Sequence, residues 1–186
     1  RTCGSGRIDP SFFNLQPMTA ADRDVTRPNP EYVLELIETV NASPFPVHLS
    51  MRLVSIEFDR ALSEMKTANQ HLQLYGIVHG GVLATLIDTA TFWAVFLRIP
   101  EDAGMVNVDL KLNYLKPFQT GLLTAEGRAI RPGNRICYAE AHVMNSNREI
   151  VAHGTSTLMI MPGKGLRMNA KKFLGEHGIH ELQKGR

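Results

Sequence analysis

The sequence is short of the features that mark secreted, metal-binding and serine-dependent proteins. It has only two cysteines, Cys3 and Cys137, which lie far apart and form no spaced motif. This argues against a disulfide framework and favours reduced thiols in a cytoplasmic protein. Histidine and cysteine show no metal-ligand spacing, and no Gly-x-Ser-x-Gly pattern marks a nucleophilic serine. We therefore expect neither a metal site nor a bound cofactor.

Charge of one sign and long uninterrupted apolar runs are also scarce. The formal net charge is +2, too small to suggest a nucleic-acid partner but suited to an anionic small ligand. Residues 1–10 lack the apolar core of a signal peptide. The longest apolar stretch, residues 80–97, approaches the length of a membrane span. Asp88 stands at its middle, where a carboxylate is costly in lipid, so we expect a buried helix and no membrane insertion.

The 186 residues suffice for one domain, and no internal repeat is visible. We expect a lead-in arm over residues 1–28 and a single domain over residues 29–162. A polar tail should follow over residues 163–186, with a short helix near residues 170–174.

A first helix is predicted to begin at Asn29, a capping residue that is followed by Pro30. Pro44 and Pro46 should end this helix. Its predicted apolar face consists of residues at helical spacing, namely Val33, Ile37 and Val40.

Alternating apolar residues predict six strands around a second helix. A change of parity within residues 49–58 indicates a bulge in the first strand, and a second strand should run through Met65. A polar loop over residues 68–78 then leads into the helix at residues 80–97. Four more strands follow, near 106–114, 122–131, 135–144 and 150–161. Because this helix is apolar nearly all round, we predict an α+β fold in which a curved antiparallel sheet wraps around it.

The segment from His79 to Asp88 carries the most chemical information. Gly80 and Gly81 open the helix, where the first amides lack internal partners and the helix dipole is positive. One interpretation is that either amide holds an oxyanion, and the other is that the glycines only permit a turn. His79 alone is weak evidence, because a lone histidine is more often a loop or core hydrogen-bonder.

Asp88 is the one carboxylate of this apolar helix, and burying it unpaired would cost several kcal/mol. A structural interpretation is a hydrogen bond to Thr85 or Thr91, one turn away. The functional interpretation is a carboxylate with a raised pKa that faces a cleft. Such a group can attack a thioester directly or take a proton from an attacking water.

Three further residues are candidates for substrate contact. Phe92, one turn beyond Asp88, either borders the acyl pocket or packs in the core. Arg131 and Arg135 flank the Pro-Gly-Asn turn, where they either meet phosphates or form a solvated hairpin end.

Residues 49–161 resemble the hotdog-fold thioesterases, within the 4-hydroxybenzoyl-coenzyme A thioesterase superfamily. The likeness is greatest to the branch that includes the phenylacetate-pathway (PaaI) enzyme. The matching pieces are Gly76-x-x-His79-Gly80-Gly81, Asp88, residues 108–117, the hairpin at 131–135 and residues 151–155.

The resemblance implies a role for several residues of this chain. Asp88 matches the nucleophile or general base, and Gly80 matches the amide that polarises the thioester carbonyl. His79 matches a histidine that supports the loop. Gln73 stands where relatives have Asn or Gln and would position the carbonyl or the water. Asn107 stands where some relatives carry a hydroxyl residue, which leaves the choice between nucleophile and base open.

The resemblance also implies an acyl-coenzyme A substrate and a homo-oligomer, a dimer or a tetramer, whose site is built between protomers. Two rival functions remain. One is a hotdog hydratase or dehydratase, although its histidine-centred motifs are not found here. The other is a non-catalytic module that binds acyl-coenzyme A.

Overall fold

The computed structural model describes residues 27–174. Its helices are α1 (Pro30–Ala42), α2 (Pro44–His48) and α3 (Gly80–Phe96), and a 3-10 turn lies at Asn69–His71. Its strands are β1 (Arg27–Pro28), β2 (Met51–Glu57), β3 (Arg60–Lys66), β4 (Gly104–Tyr114), β5 (Leu122–Arg131), β6 (Ile136–Asn145), β7 (Ile150–Met161) and β8 (Phe173–Leu174).

Six strands form one antiparallel sheet around α3. Their order is β2-β3-β5-β6-β7-β4, so β2 and β4 are the two edges. Strands β2 to β7 all contact the helix, which confirms the predicted α+β hotdog class and the predicted position of α3. Among residues 27–174 no helix is long and apolar enough to cross a membrane.

The sheet approaches α3 closely because small residues face the helix. A Cβ atom built on Gly127 of β5 would lie 2.0 Å from the carbonyl oxygen of Ala90 in α3. One built on Gly154 of β7 would lie 2.9 Å from Ile87 Cγ2. Both contacts are shorter than any real Cβ atom tolerates, so these glycines set the distance between helix and sheet.

Helix α1 begins where the sequence predicts, and Asn29 Oδ1 accepts a 3.0 Å hydrogen bond from the amide of Glu31. The predicted apolar face is displaced, however. Tyr32 and Leu36 are its buried centre, and the predicted residues Val33, Ile37 and Val40 are only half-buried beside it. The ring of Tyr32 packs in the core as an apolar side chain does, so the buried face of the helix lies one residue earlier than predicted.

The two prolines do not lie in a loop. Helix α1 ends at Ala42, and Pro44 and Pro46 lie in the short helix α2. Pro44 occupies the first position of this helix, where its missing N–H has no intrahelical partner to lose.

The predicted bulge in β2 is confirmed, because the pairing with β3 shifts between Leu53 and Ser55. Helix α1 covers this edge of the sheet. The Asn41 side chain accepts from the Leu53 amide at 2.7 Å and donates to the Leu53 carbonyl oxygen at 3.0 Å. These bonds satisfy backbone groups of an edge strand, which would otherwise be open to another chain.

Strand β4 forms the opposite edge and differs from expectation. The alternation of apolar and polar residues along it is typical of a half-buried strand, but Val106, Val108 and Tyr114 are exposed. The pairing with β7 shifts between Asn107 and Asp109, so Val108 sits at a bulge. Within residues 27–174, β4 pairs with β7 alone, so the backbone groups on the outer edge of β4 have no strand partner.

Residues 163–174 lie against the domain. The prediction of a short helix near residues 170–174 is wrong. Phe173 and Leu174 instead form β8, which pairs with β1. Lys172 is buried, and its Nζ donates to the carbonyl oxygens of Phe96 at 2.6 Å and Ile99 at 2.9 Å. The carbonyl oxygens at the carboxyl end of α3 lack intrahelical donors, and the lysine supplies them. The pairing with β1 accounts for the extended backbone of residues 173–174.

Replacing Gly127 by alanine should disturb the contact between sheet and helix. The added methyl group meets a helix carbonyl oxygen that cannot move alone, so we expect a loss of unfolding free energy of about 1–3 kcal/mol or more. Chemical denaturation measures it. The control is Arg128→Ala, which removes a solvent-exposed ion pair on the same strand and should cost less than about 1 kcal/mol. Equal losses in the two variants would contradict the contact.

The buried Lys172 should make stability rise with pH. Burial lowers the pKa of its ammonium to about 7, whereas the unfolded chain keeps a lysine pKa of about 10.4. Above pH 7 the unfolded state therefore binds more protons than the folded state, so the free energy of unfolding increases towards alkaline pH. Lys172→Met should lose this increase between pH 7 and about 8.5. Cys137 begins to titrate in the upper part of this range, but it is present in both proteins, so the difference between them reports Lys172.

Lys171→Met is the control for that variant, because Lys171 is exposed and adjacent. It should keep the pH dependence of the parent protein, measured by denaturation at each pH. An unchanged slope in Lys172→Met would show that Lys172 stays charged in the fold.

Candidate active site

The amino end of α3 leaves one amide free. His79 caps the helix, and its Nδ1 accepts a 2.9 Å hydrogen bond from the amide of Gly81. Gly81 is therefore already paired, although it was a candidate for contact with substrate. The amide of Gly80 has no acceptor within residues 27–174. Of the two glycine amides, Gly80 is the one available to an oxyanion.

The loop before α3 brings Gln73 beside this amide. The loop is closed by hydrogen bonds from the Gln73 amide to Ile77 O at 2.8 Å and from the Gly76 amide to Gln73 O at 2.9 Å. Gly76 has a positive φ of 71°, which favours glycine at this turn. Gln73 and Gly80 both line a cleft of about 430 Å³, so the structure brings these two predicted residues together.

His71 lies beneath the same loop and was missed by sequence reasoning. It is fully buried, its Nδ1 accepts from the Ala68 amide at 2.9 Å, and its carbonyl oxygen accepts from the His79 amide at 2.8 Å. Its Nε2 has no partner in the described part of the chain. A lone histidine in a polar stretch carries no sequence signal for such burial.

Asp88 lies half-buried at the middle of α3 and contacts Asn107 of β4. The Asn107 Nδ2 donates to Asp88 Oδ1 and, at 3.4 Å, to the Asp88 backbone oxygen. Burial raises the pKa of the Asp88 carboxyl, and the bond from Asn107 opposes that rise. Thr85 donates to Gly81 O, and Thr91 donates to the backbone oxygens of Ile87 and Asp88. Neither threonine therefore bonds to the Asp88 carboxylate.

Gly80 and Asp88 cannot act on one substrate atom from the same chain. Eight residues of α-helix separate them, which corresponds to about 12 Å along the axis. Asp88 is also absent from the lining of the cleft that holds Gly80 and Gln73. The chain therefore presents two separate groups of residues, here called half-sites: one holds the amide donor and the other holds the carboxylate.

Phe92 lies in an aromatic cluster at the carboxyl half of α3. Its ring centroid is 4.9 Å from that of Trp93 and 6.0 Å from that of Phe96. Of the two interpretations of Phe92, the contacts fit packing in the core.

Arg131 and Arg135 are exposed at the hairpin between β5 and β6, and neither side chain has a partner within residues 27–174. The adjoining Cys137 is buried in a cluster with Phe96 and Leu97. The hairpin thus lies at the carboxyl end of α3, away from Gly80 of the same chain.

Tyr114 at the end of β4 is a site residue that sequence reasoning did not single out. A Cβ atom built on Gly80 would lie 2.8 Å from both Cζ and Oη of its ring. Across residues 27–174, no three His, Cys, Asp or Glu side chains are grouped so that they could hold a metal ion.

The profile of the thioesterase superfamily matches residues 75–152, which include Gly80, Asp88 and Asn107. A Saccharolobus solfataricus protein that is provisionally named an esterase is 31% identical over 112 residues, spanning 58% of this chain and 74% of the relative. Acyl-coenzyme A thioesterase 13 of Mus musculus is 27% identical over 152 residues, spanning 77% of this chain and 96% of the relative.

A solved structure agrees in fold. The Escherichia coli PaaI protein from the phenylacetic acid degradation operon superposes with a TM-score of 0.65 at 20% identity, covering 72% of this chain and 95% of that one. The curved sheet around a central helix is thus common to the two structures. The relatives include a named acyl-coenzyme A thioesterase, and the chain belongs to the hotdog-fold thioesterase superfamily.

Proposed function

We propose that the protein is an acyl-coenzyme A thioesterase that hydrolyses an acyl- or aryl-coenzyme A to the free acid and coenzyme A. The similarity to an acyl-coenzyme A thioesterase along most of its length supports this substrate class. The cytoplasmic location expected from the isolated cysteines stays a prediction.

The observation that carries the proposal is the pairing of Asp88 with Asn107. A carboxylate on an apolar helix is kept at a cost, since burial disfavours its charge. Asn107 donates to Oδ1 only, and Oδ2 has no partner within residues 27–174. One oxygen is thus held in position while the other is open to a water molecule or to the thioester carbon.

The distance between the two half-sites supports a site shared by two protomers. A two-fold dimer would place the partner's Gly80 opposite Asp88, so that both reach the same thioester. Of the two sheet edges, β2 is covered by α1 and β4 is open. Pairing of β4 with its copy would close this edge and bury its exposed valines.

In this arrangement the partner's Gly80 would donate to the carbonyl oxygen and stabilise the charge that develops there. Asp88 would either attack the carbonyl carbon or take the proton of an attacking water. In the first route the carbon–sulfur bond breaks, coenzyme A leaves as its thiolate, and water then hydrolyses the mixed anhydride that Asp88 and the acyl group have formed. In the second route the water oxygen enters the free acid, and the proton taken by Asp88 passes to the departing thiolate. Gln73 would orient the carbonyl or the water, and Arg131 and Arg135 would meet the phosphates of the nucleotide.

Two other functions are outcomes of the same experiments. A hydratase would change a carbon–carbon bond and leave the thioester intact. A binding module would hold acyl-coenzyme A without turnover. Burial of Asp88 would then destabilise the fold without serving catalysis.

Asp88→Asn should abolish most hydrolysis without unfolding the protein. It removes the charge and keeps the shape, so kcat should fall by about 10²–10⁴-fold. Since burial raises the carboxyl pKa, the folded state disfavours the charged form at neutral pH, and the variant should be as stable or more stable. Hydrolysis of acetyl-, palmitoyl- and benzoyl-coenzyme A, with thermal unfolding of the same sample, measures both effects.

Asp102→Asn is the control, because Asp102 is an exposed carboxylate in the loop after α3. It should leave kcat unchanged, and acyl-coenzyme A should still bind to Asp88→Asn. Full turnover in Asp88→Asn would refute the catalytic role. Absence of any hydrolysis by the parent protein, with binding retained, would favour the binding module.

Val108→Glu should separate the protomers. Val108 lies at the bulge of the open edge strand and is 52% exposed in the single chain. A carboxylate there would be buried without a partner in the dimer, which costs several kcal/mol. Sedimentation should show a monomer that has lost hydrolysis but keeps its circular dichroism spectrum.

Val54→Glu is matched to it, because Val54 lies at the bulge of the covered edge strand and is 42% exposed. This variant should remain an active dimer. A monomeric Val108→Glu protein with full activity would contradict the shared site.

A further inference from the structure

The hydroxyl of Tyr114 lies at the same helix start as the free amide of Gly80. The Tyr114 ring is so close to Gly80 that a Cβ atom there would be 2.8 Å from the hydroxyl oxygen. Both residues line the cleft that also contains Gln73. The ring is 58% exposed, so a ligand can reach it.

The backbone of Tyr114 is held firmly. Tyr114 pairs with Ala152 at the end of β4, and the next two amides, of Leu115 and Lys116, both donate to Val151 O at 2.9 and 3.1 Å. The position of the ring over Gly80 is therefore set by the sheet and not by a mobile loop.

The two donors are close enough to share one acceptor. The Gly80 nitrogen is about 2.5 Å from its own Cβ position by standard geometry, so the Tyr114 hydroxyl lies within about 5.3 Å of that nitrogen. A carbonyl oxygen that accepts two hydrogen bonds of about 2.9 Å along its two lone pairs, about 120° apart, joins donors that are about 5 Å apart. Neither the amide nor the hydroxyl has another partner within residues 27–174.

We propose that Tyr114 is a catalytic residue of the thioesterase site, whose hydroxyl donates to the thioester carbonyl oxygen together with the amide of Gly80. This inference rests on the proposed function. Because Tyr114 and Gly80 belong to the same half-site, both serve the carboxylate of the other protomer. The carbonyl oxygen then accepts two hydrogen bonds, which strengthen as negative charge develops on it.

The same contact gives Gly80 a second reason to be glycine. A larger residue would keep the amide but would push the Tyr114 ring away from it. The pair therefore acts as one unit, in which the small residue makes room for the second donor.

Tyr114→Phe tests the proposal, since it removes the hydroxyl oxygen and keeps the ring. We expect kcat to fall by roughly 10²-fold with little change in KM, because the bond matters most in the transition state. The substrate is whichever of acetyl-, palmitoyl- and benzoyl-coenzyme A the parent protein hydrolyses fastest. Tyr138→Phe is the matched control, an exposed tyrosine on the outer face of β6, and it should keep full activity.

A second measurement does not depend on turnover. In a ketone analogue of the substrate, with CH₂ in place of the thioester sulfur, hydrogen bonds lower the carbonyl stretching frequency. Binding to the parent protein should lower it, and binding to Tyr114→Phe should lower it less.

The outcomes separate this inference from the proposed function. If Asp88→Asn loses turnover but Tyr114→Phe keeps its kcat and its carbonyl frequency, the role of Tyr114 is refuted and the proposed function stands. A raised KM with unchanged kcat would also refute it, because the ring would then only bind substrate. If the parent protein hydrolyses none of the three substrates, the proposed function fails and this inference fails with it.

Discussion

Helix α3 must be covered on nearly every side, and the other features of the structure depend on that constraint. Its residues are apolar nearly all round, and the six-stranded sheet curves around it. Glycines on β5 and β7 let the strands approach its backbone closely. Within this enclosure the helix offers two groups suited to acyl transfer, the free amide of Gly80 at its start and the single carboxylate at its middle.

Those two positions are too far apart to meet within one chain, which makes the open edge of the sheet important. Strand β4 carries Asn107, which holds Asp88, and Tyr114, which lies over Gly80. One edge strand thus supports both half-sites. A two-fold dimer formed along it would bring the amide half-site of each protomer to the carboxylate half-site of the other.

Local sequence patterns predicted much of this fold and part of the site. Periodicity located α3 and the bulge in β2, and an unpaired acid on an apolar helix singled out Asp88. The exposure of β4 could not be predicted, because it depends on the order of strands in the sheet. The burial of Lys172 depends on carbonyl groups more than 70 residues away in sequence. Tyr114 was missed because its proposed role depends on its contact with Gly80. These two residues are far apart in sequence, so no local spacing reveals the contact.

The most direct test of the shared site is complementation between two inactive variants. Asp88→Asn removes the carboxylate. Gly80→Pro removes the amide donor at the first helix position, where the backbone suits proline, and its ring also displaces Tyr114 of the same half-site. When the two proteins are unfolded together and refolded, half of the dimers should be mixed, and each should contain one intact site. The account predicts recovery of about a quarter of the parent activity. No recovery from a mixture that forms dimers would show that each chain holds a complete site, and would contradict it.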